Sequence, residues 1–233
     1  MGNIEELRHS VLALKEFGTS RLRIASIPGL SFGFVPSLVA ALLEENPRFS
    51  VSLDMLSSNE VQLAVESSHA DIGFVTLPVA SRVLEVEPWL TTEAVCLLPA
   101  AHPLADKARI DIEDLCDQHL VISNQPSIST NPLLELIARY GIQIAGKTEA
   151  NIGTISALVA NGVGITVMNP VTVRDQLSTR DEVVVRPFHP AMTFSFGLVY
   201  RGEWKQSRVL AFLRDRGKAL LADYQPARKT AYF

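Results

Sequence analysis

Apolar positions along the chain follow two rhythms, a helical one of three- and four-residue steps and an alternating one of strands. Val35, Leu38, Val39, Leu42 and Leu43 keep the helical spacing throughout and predict an amphipathic helix that Pro47 stops. Ahead of it, residues 21–27 read as a strand and Pro28-Gly29-Leu30-Ser31-Phe32-Gly33 as a tight turn. Behind it, residues 49–55 alternate strictly, with Val51, Leu53 and Met55 on one face and Ser50, Ser52 and Asp54 on the other. That pattern predicts a strand exposed on one side or close to a sheet edge. Ser57 or Ser58 then caps a helix carrying Val61, Ala64 and Val65, and residues 71–75 form a short buried strand ending at Thr76. Three strand–helix steps in about sixty residues predict a parallel, doubly wound α/β sheet.

A second set follows. Residues 83–98 contain extended stretches, 102–105 a turn, 112–115 a short helix and 120–123 a strand. After a polar loop over 124–131, Pro132 opens a helix packed by Leu133, Leu134, Ile137 and Ala138, a favoured place for proline. The stretch 147–170 (KTEANIGTISALVANGVGITVMNP) combines a polar lead, a helix and a strand. Thr154 or Asn151 caps the helix, Ile155, Leu158 and Val159 share its packed face, and Asn161-Gly162 stops it. Residues 165–168, 183–188 and 192–200 read as further strands, and Val209, Phe212, Leu213 and Leu220 as the apolar face of a last helix. The tail from Ala222 reads as weakly structured. At the other end, Ile4, Leu7, Val11, Leu14 and Phe17 make a narrow stripe suited to a linker or coiled-coil helix. The last strand and helix have no home in the second unit. A chain that returns to the first unit provides one, and it creates two crossover strands with a cleft between lobes.

Composition narrows the classes. With 47% apolar and 20% charged residues in 233, the chain has the make-up of a globular protein able to bury one large or two small cores. A net charge of −4 offers no basic excess for nucleic-acid binding by this piece. No apolar run approaches the roughly 20 residues that span a bilayer. The N-terminus lacks a secretory layout, and Cys96 and Cys116 make neither a disulfide framework nor a metal spacing. The default compartment is therefore the cytoplasm. The five histidines do not cluster. Gly162-Val163-Gly164 precedes a strand instead of a helix, the wrong context for a dinucleotide loop. No nucleophile–base–acid set assembles, so neither a cofactor nor an enzymatic activity is expected.

The segments RLRIASIPGLSFGFVPSLVAALLEENPRFSVSLDM, HADIGFVTLP, LLPAAHPLA and ALVANGVGITVMNP, in this order and spacing, resemble the effector-binding domain of LysR-type transcriptional regulators. The resemblance covers about residues 22–221. It implies two Rossmann-like subdomains joined by two crossover strands, the type II periplasmic-binding-protein-like arrangement. Residues 21–95 with 197–221 would form the first subdomain and 96–196 the second, with 1–20 the remnant of the linker helix and 222–233 a tail. It further implies a homodimer or homotetramer, with a side-by-side dimer through the helix at 33–45 and a helix of the other subdomain. Promoter DNA would be bound only through a helix-turn-helix domain that this chain does not contain. Within the family, SIPGLSFGFVP and the SSNEV turn are most similar to regulators of opine or basic amino-acid catabolism.

Mapped onto these residues, the family's effector loops are four strand exits, residues 28–32, 57–59, 127–130 and 151–154, with Pro28, Gly29, Leu30, Ser57, Ser58, Ser129, Thr130, Asn151, Gly153 and Thr154 as candidates and Thr76 at the end of the third strand. Small hydroxyls and amides at helix starts suit a carboxylate. Ser58, Thr130 and Thr154 are expected as hydrogen-bonding contacts, Gly29 and Leu30 as backbone donors or wall, and Glu60 or Glu149 as acceptors of an ammonium. The plainer reading is that Ser, Thr or Asn before a helix is simply its cap and that the acids are solvated. The leading expectation is an allosteric sensor of a small anionic or zwitterionic metabolite. A transporter's solute-binding protein, which shares the bilobal architecture, is the alternative.

Overall fold

The computed structural model describes residues 21–124, 132–177 and 182–224. The linker helix expected over residues 3–17 and the polar loop carrying Ser129 and Thr130 lie outside them. The elements run β1 (Arg21–Ser26), a 3-10 turn (Pro28–Leu30), α1 (Phe34–Glu45), β2 (Ser50–Met55), α2 (Ser58–Glu66), β3 (Ile72–Thr76) and β4 (Leu84–Glu93). They continue through β5 (Val95–Pro99), β6 (Ile110–Asp111), a 3-10 turn (Ile112–Leu115), β7 (His119–Ser123), α3 (Pro132–Tyr140), β8 (Gly146–Ala150) and α4 (Ile152–Ala160). The remainder is β9 (Thr166–Met168), α5 (Pro170–Leu177), β10 (Val183–His189), β11 (Thr193–Arg201), a 3-10 turn (Gly202–Trp204) and α6 (Arg208–Tyr224). The final helix thus continues three residues into the stretch expected to be a loose tail.

One sheet has the order β2-β1-β3-β11-β4. Its first three strands are parallel, and β11 runs antiparallel to β3 and β4. β2 lies at the edge, which accounts for its polar face. The second sheet has the order β6-β10-β5-β9, with the parallel pair β7-β8 beside it. A bridge between Leu120 and Ile165 joins that pair to the approach of β9, through Val121 N donating to Ile165 O (2.8 Å) and Ile165 N to His119 O (3.0 Å). A side chain on Gly164 would run into the His119 carbonyl, so this junction requires glycine there. Gly162, at φ +76°, turns the chain out of α4 in the left-handed region that glycine tolerates.

The two lobes repeat one plan. Each has the second, first and third strands of a parallel trio, then an antiparallel strand arriving from the other lobe, then one more strand in the first lobe and two in the second. β5 is the visitor in the second lobe and β11 in the first. The chain crosses at Ala94 and again just before Thr193, where Ala94 N donates to Met192 O at 2.7 Å. Leu22, Ile24, Phe34, Leu38, Leu42, Phe74, Leu198 and Leu213 pack the first core, and Cys96, Leu98, Ile110, Leu115 and Leu120 part of the second. Each such side chain contributes about 1.5–3 kcal/mol when fully buried. Helix α6 is fastened to the first sheet by Arg214, paired with Glu87, while the Tyr200 hydroxyl donates to Glu87 Oε1 at 2.5 Å. Arg214 holds the Glu87 carboxyl below its ordinary range, and burial, helped by Glu87, pushes the Tyr200 phenol up to about 12. The cluster is fully paired and structural.

Candidate functional site

The C-terminal ends of β1, β2 and β3 lie side by side, with Ser26 in register with Met55 and, on the other flank, with Phe74. Leu56 N donates to Ser26 O (3.0 Å) and Ile27 N to Phe74 O (3.1 Å), which holds the three strand exits in one crest. In the second lobe the exits of β7 and β8 are neighbours, joined by Asn124 N donating to Ala150 O (2.9 Å).

Several of the expected contacts have local partners. Ser57 caps α2: its hydroxyl accepts from Glu60 N (3.4 Å), and the Glu60 carboxylate accepts from Ser57 N (2.8 Å). Ser57, through its hydroxyl first and its amide second, holds the Glu60 carboxyl below its ordinary value. The Ser58 hydroxyl accepts from Thr76 N at 3.2 Å, tying the start of α2 to the end of β3. Asn151 is the cap of α4, its Oδ1 accepting from Gly153 N (3.0 Å), and the Thr154 hydroxyl donates to Asn151 O (2.8 Å). Glu149 pairs with Lys147 at 2.5 Å. Thr76, Asn151, Gly153 and Thr154 are exposed, Ser57 and Ser58 half-buried, and Pro28, Gly29 and Leu30 buried. Leu30 lines an apolar cavity of about 10 Å³ with Phe34, Phe74, Trp89 and Phe196, and its side chain belongs to the first core. Ser129 and Thr130 lie outside the described residues.

The lobes meet through α5, an element that no apolar stripe announces. Val171 is buried in the first lobe's core although its strand neighbours are in the second, and Val173 packs in the second. Asn169 caps the helix, accepting from Thr172 N (2.9 Å) and donating through Nδ2 to the Thr172 hydroxyl (2.8 Å). That hydroxyl donates across the gap to Gly29 O at 3.0 Å, and all three groups are buried. One turn further, the Asp175 carboxylate accepts from Phe34 N (3.0 Å) at the start of α1, whose own cap residue, Gly33, has no side chain to offer. A side chain on Gly33 would collide with Asp175. In the other direction, Phe32 reaches from the first lobe onto Gly153 at the start of α4. Asn169-Pro170, an asparagine before a proline at the first helical position, is the sequence signal that marks α5.

Chemically the facing loops are neutral and rich in amides and hydroxyls. Residues 27–33, 56–58, 76–78 and 151–154 contain no lysine or arginine. Among the described residues no group of three or more His, Cys, Asp or Glu is placed to hold a metal ion, and no helix is long and apolar enough to cross a membrane.

Two lobes with this strand order, linked by two crossovers, define the type II periplasmic-binding-protein-like fold of LysR effector-binding domains. The profile of the LysR substrate binding domain matches residues 16–219, and the chain belongs to that family. It is 27% identical over 222 residues to the regulatory protein NocR of Agrobacterium tumefaciens (strain T37), which covers 93% of this chain and 73% of NocR. It is 29% identical over 168 residues to the octopine catabolism/uptake operon regulatory protein OccR of Rhizobium meliloti, 72% of this chain and 54% of OccR. The regulatory domain of CcmR from Synechocystis PCC6803, solved in complex with 2-PG, is similar with a TM-score of 0.72 and 21% identity. That match covers 86% of this chain and 96% of the CcmR domain, and at such identity it is a likeness of fold.

Proposed function

We propose that the chain is the ligand-sensing regulatory domain of a LysR-type transcriptional regulator, and that a small anionic or zwitterionic metabolite, an opine or an amino-acid-like acid, binds between its lobes. The observation that carries this reading is the meeting of two loops across the gap, the β1–α1 turn of one lobe and the start of α4 in the other. A ligand bonded to both sides shifts the lobe angle by the difference in its affinity for the two arrangements. Ser58, Thr130 and Thr154 act as hydrogen-bonding contacts, with Ser57, Thr76, Ser129, Asn151 and Gly153 around them and Pro28, Gly29 and Leu30 as wall or backbone donors. The first lobe comprises residues 21–95 with 197–221 and the second 96–196. In the intact cytoplasmic regulator a helix-turn-helix domain contacts promoter DNA, and homodimers or homotetramers transmit the angle. The naming of OccR for octopine catabolism and uptake supports the opine class. That NocR and OccR are named as regulatory proteins favours the sensor over a transporter's solute-binding protein.

Isothermal titration with octopine, arginine, ornithine and lysine tests the proposal, and at least one should bind with a single site. Ser58→Ala combined with Thr154→Ala should then weaken that ligand at least about tenfold, as expected for two lost hydrogen bonds. An unchanged affinity in the double variant would move the site elsewhere.

A further inference from the structure

Phe32 is 39% exposed, one of a small set of large apolar side chains left at the surface. Its ring does not point away from the molecule. The position that a Cβ on Gly153 would take lies 3.0 Å from Phe32 Cζ and 3.3 Å from Cε1, and 3.6 Å from Asn151 Oδ1. The ring and the polar start of α4 therefore form one continuous surface, contributed by both lobes. Only a residue without a side chain at 153 lets the ring rest there unmoved. Residues 27–33 and 151–154 contain no lysine or arginine, so a carboxylate arriving at the start of α4 meets neutral groups.

We propose that Phe32 is the specificity-determining residue of the cleft, selecting acids whose carboxylate-bearing carbon carries an apolar arm over compact anions. The inference rests on the reading of the cleft as a carboxylate site. Methylene groups gain by leaving water for the ring face, whereas a compact anion gains nothing from it and gives up hydration that uncharged donors replace poorly. Gly153 is the counterpart: it keeps the ring close to the donors, so that carboxylate and arm are read together.

The test is isothermal titration of wild type, Phe32→Ala and Phe32→Leu with sulfate, glycine, arginine and octopine. Wild type should bind arginine or octopine and neither sulfate nor glycine. Phe32→Ala should weaken the arm-bearing acid roughly three- to tenfold, with Phe32→Leu in between. A ligand-free arm reads the contact itself by thermal unfolding of Gly153→Ala in both backgrounds. Alanine favours a helix by itself, so the informative quantity is the coupling. Gly153→Ala should be better tolerated by at least about 2 °C in Tm when Phe32 is alanine. Unchanged affinities in Phe32→Ala, or additive Tm shifts, overturn the role of Phe32 and leave the carboxylate site standing. If no protein binds any of the four probes, the site and its selectivity fall together.

Discussion

Helices α1 and α2 begin at neighbouring strand exits of the same sheet, yet their first turns are completed in opposite ways. α2 is self-sufficient: Ser57 and Glu60, three residues apart, satisfy each other's backbone amides. α1 offers glycine at the cap position and takes its acceptor, Asp175, from a helix 141 residues away in sequence. A local cap stabilises one helix whatever the rest of the chain does. A cap supplied in trans holds only while two lobes keep one relation, so it reports on their arrangement.

That contrast is open to direct attack, and the largest effect is expected where the trans side is most buried. Val171→Asp places an uncompensated carboxylate in the first lobe's core, where Val171 has 0% exposure, and should cost about 3 kcal/mol or more. Urea unfolding followed by far-UV circular dichroism measures it, and a shift no larger than that of a surface variant would mean that α5 is not embedded as described. Next, Asp175→Ala removes the trans cap and should cost about 1–2 kcal/mol. Because it loosens one lobe from the other, its unfolding transition should also broaden. Ser57→Ala should cost about 1 kcal/mol with the slope of the transition unchanged, the signature of a local loss. If the two cap variants behave alike, the distinction between local and trans capping has no energetic content.

The smallest effect concerns pH. The Glu60 carboxyl titrates below its ordinary value in the folded chain, so its contribution is complete above the unfolded value near 4.5. It is lost as pH falls through the depressed folded value. Glu60→Gln keeps an acceptor for Ser57 N but does not titrate. Its stability should therefore fall less steeply than that of wild type between neutral pH and about 3. Parallel acid limbs would show that the capping carboxylate is not linked to folding.

What the sequence makes legible divides along the same line. The fold class, helices α1 and α2, and the returning strand and helix follow from runs with one apolar face and nearby start signals. The cap of α4, left open between Asn151 and Thr154, is settled for Asn151 by its bond to Gly153 N. α5 escaped because Val171 and Val173 pack in different lobes, so its apolar residues form no common stripe. β8 escaped because Gly146-Lys147-Thr148-Glu149-Ala150 alternates between exposed and half-buried positions with no apolar face. The break between β4 and β5 escaped because chain direction and apolar content continue through Ala94. Among the site residues, sequence reasoning found the strand exits. The plainer reading of Ser57 and Asn151 as helix caps is what their hydrogen bonds show, whereas the bridging of the gap by Phe32 and Asp175 was not foreseen, since such contacts depend on packing between lobes.

The crossing at Ala94 and Met192 also governs the order in which the molecule can be completed during synthesis. The second lobe is one uninterrupted span and can close as soon as it leaves the ribosome. The first cannot, because β3, buried from Ile72 to Val75, lacks its partner β11 until more than a hundred further residues have been made. Until then its apolar edge is open to other nascent chains. Slowing translation across the second lobe should lengthen that exposure, and chaperone cover of the open edge should shorten it.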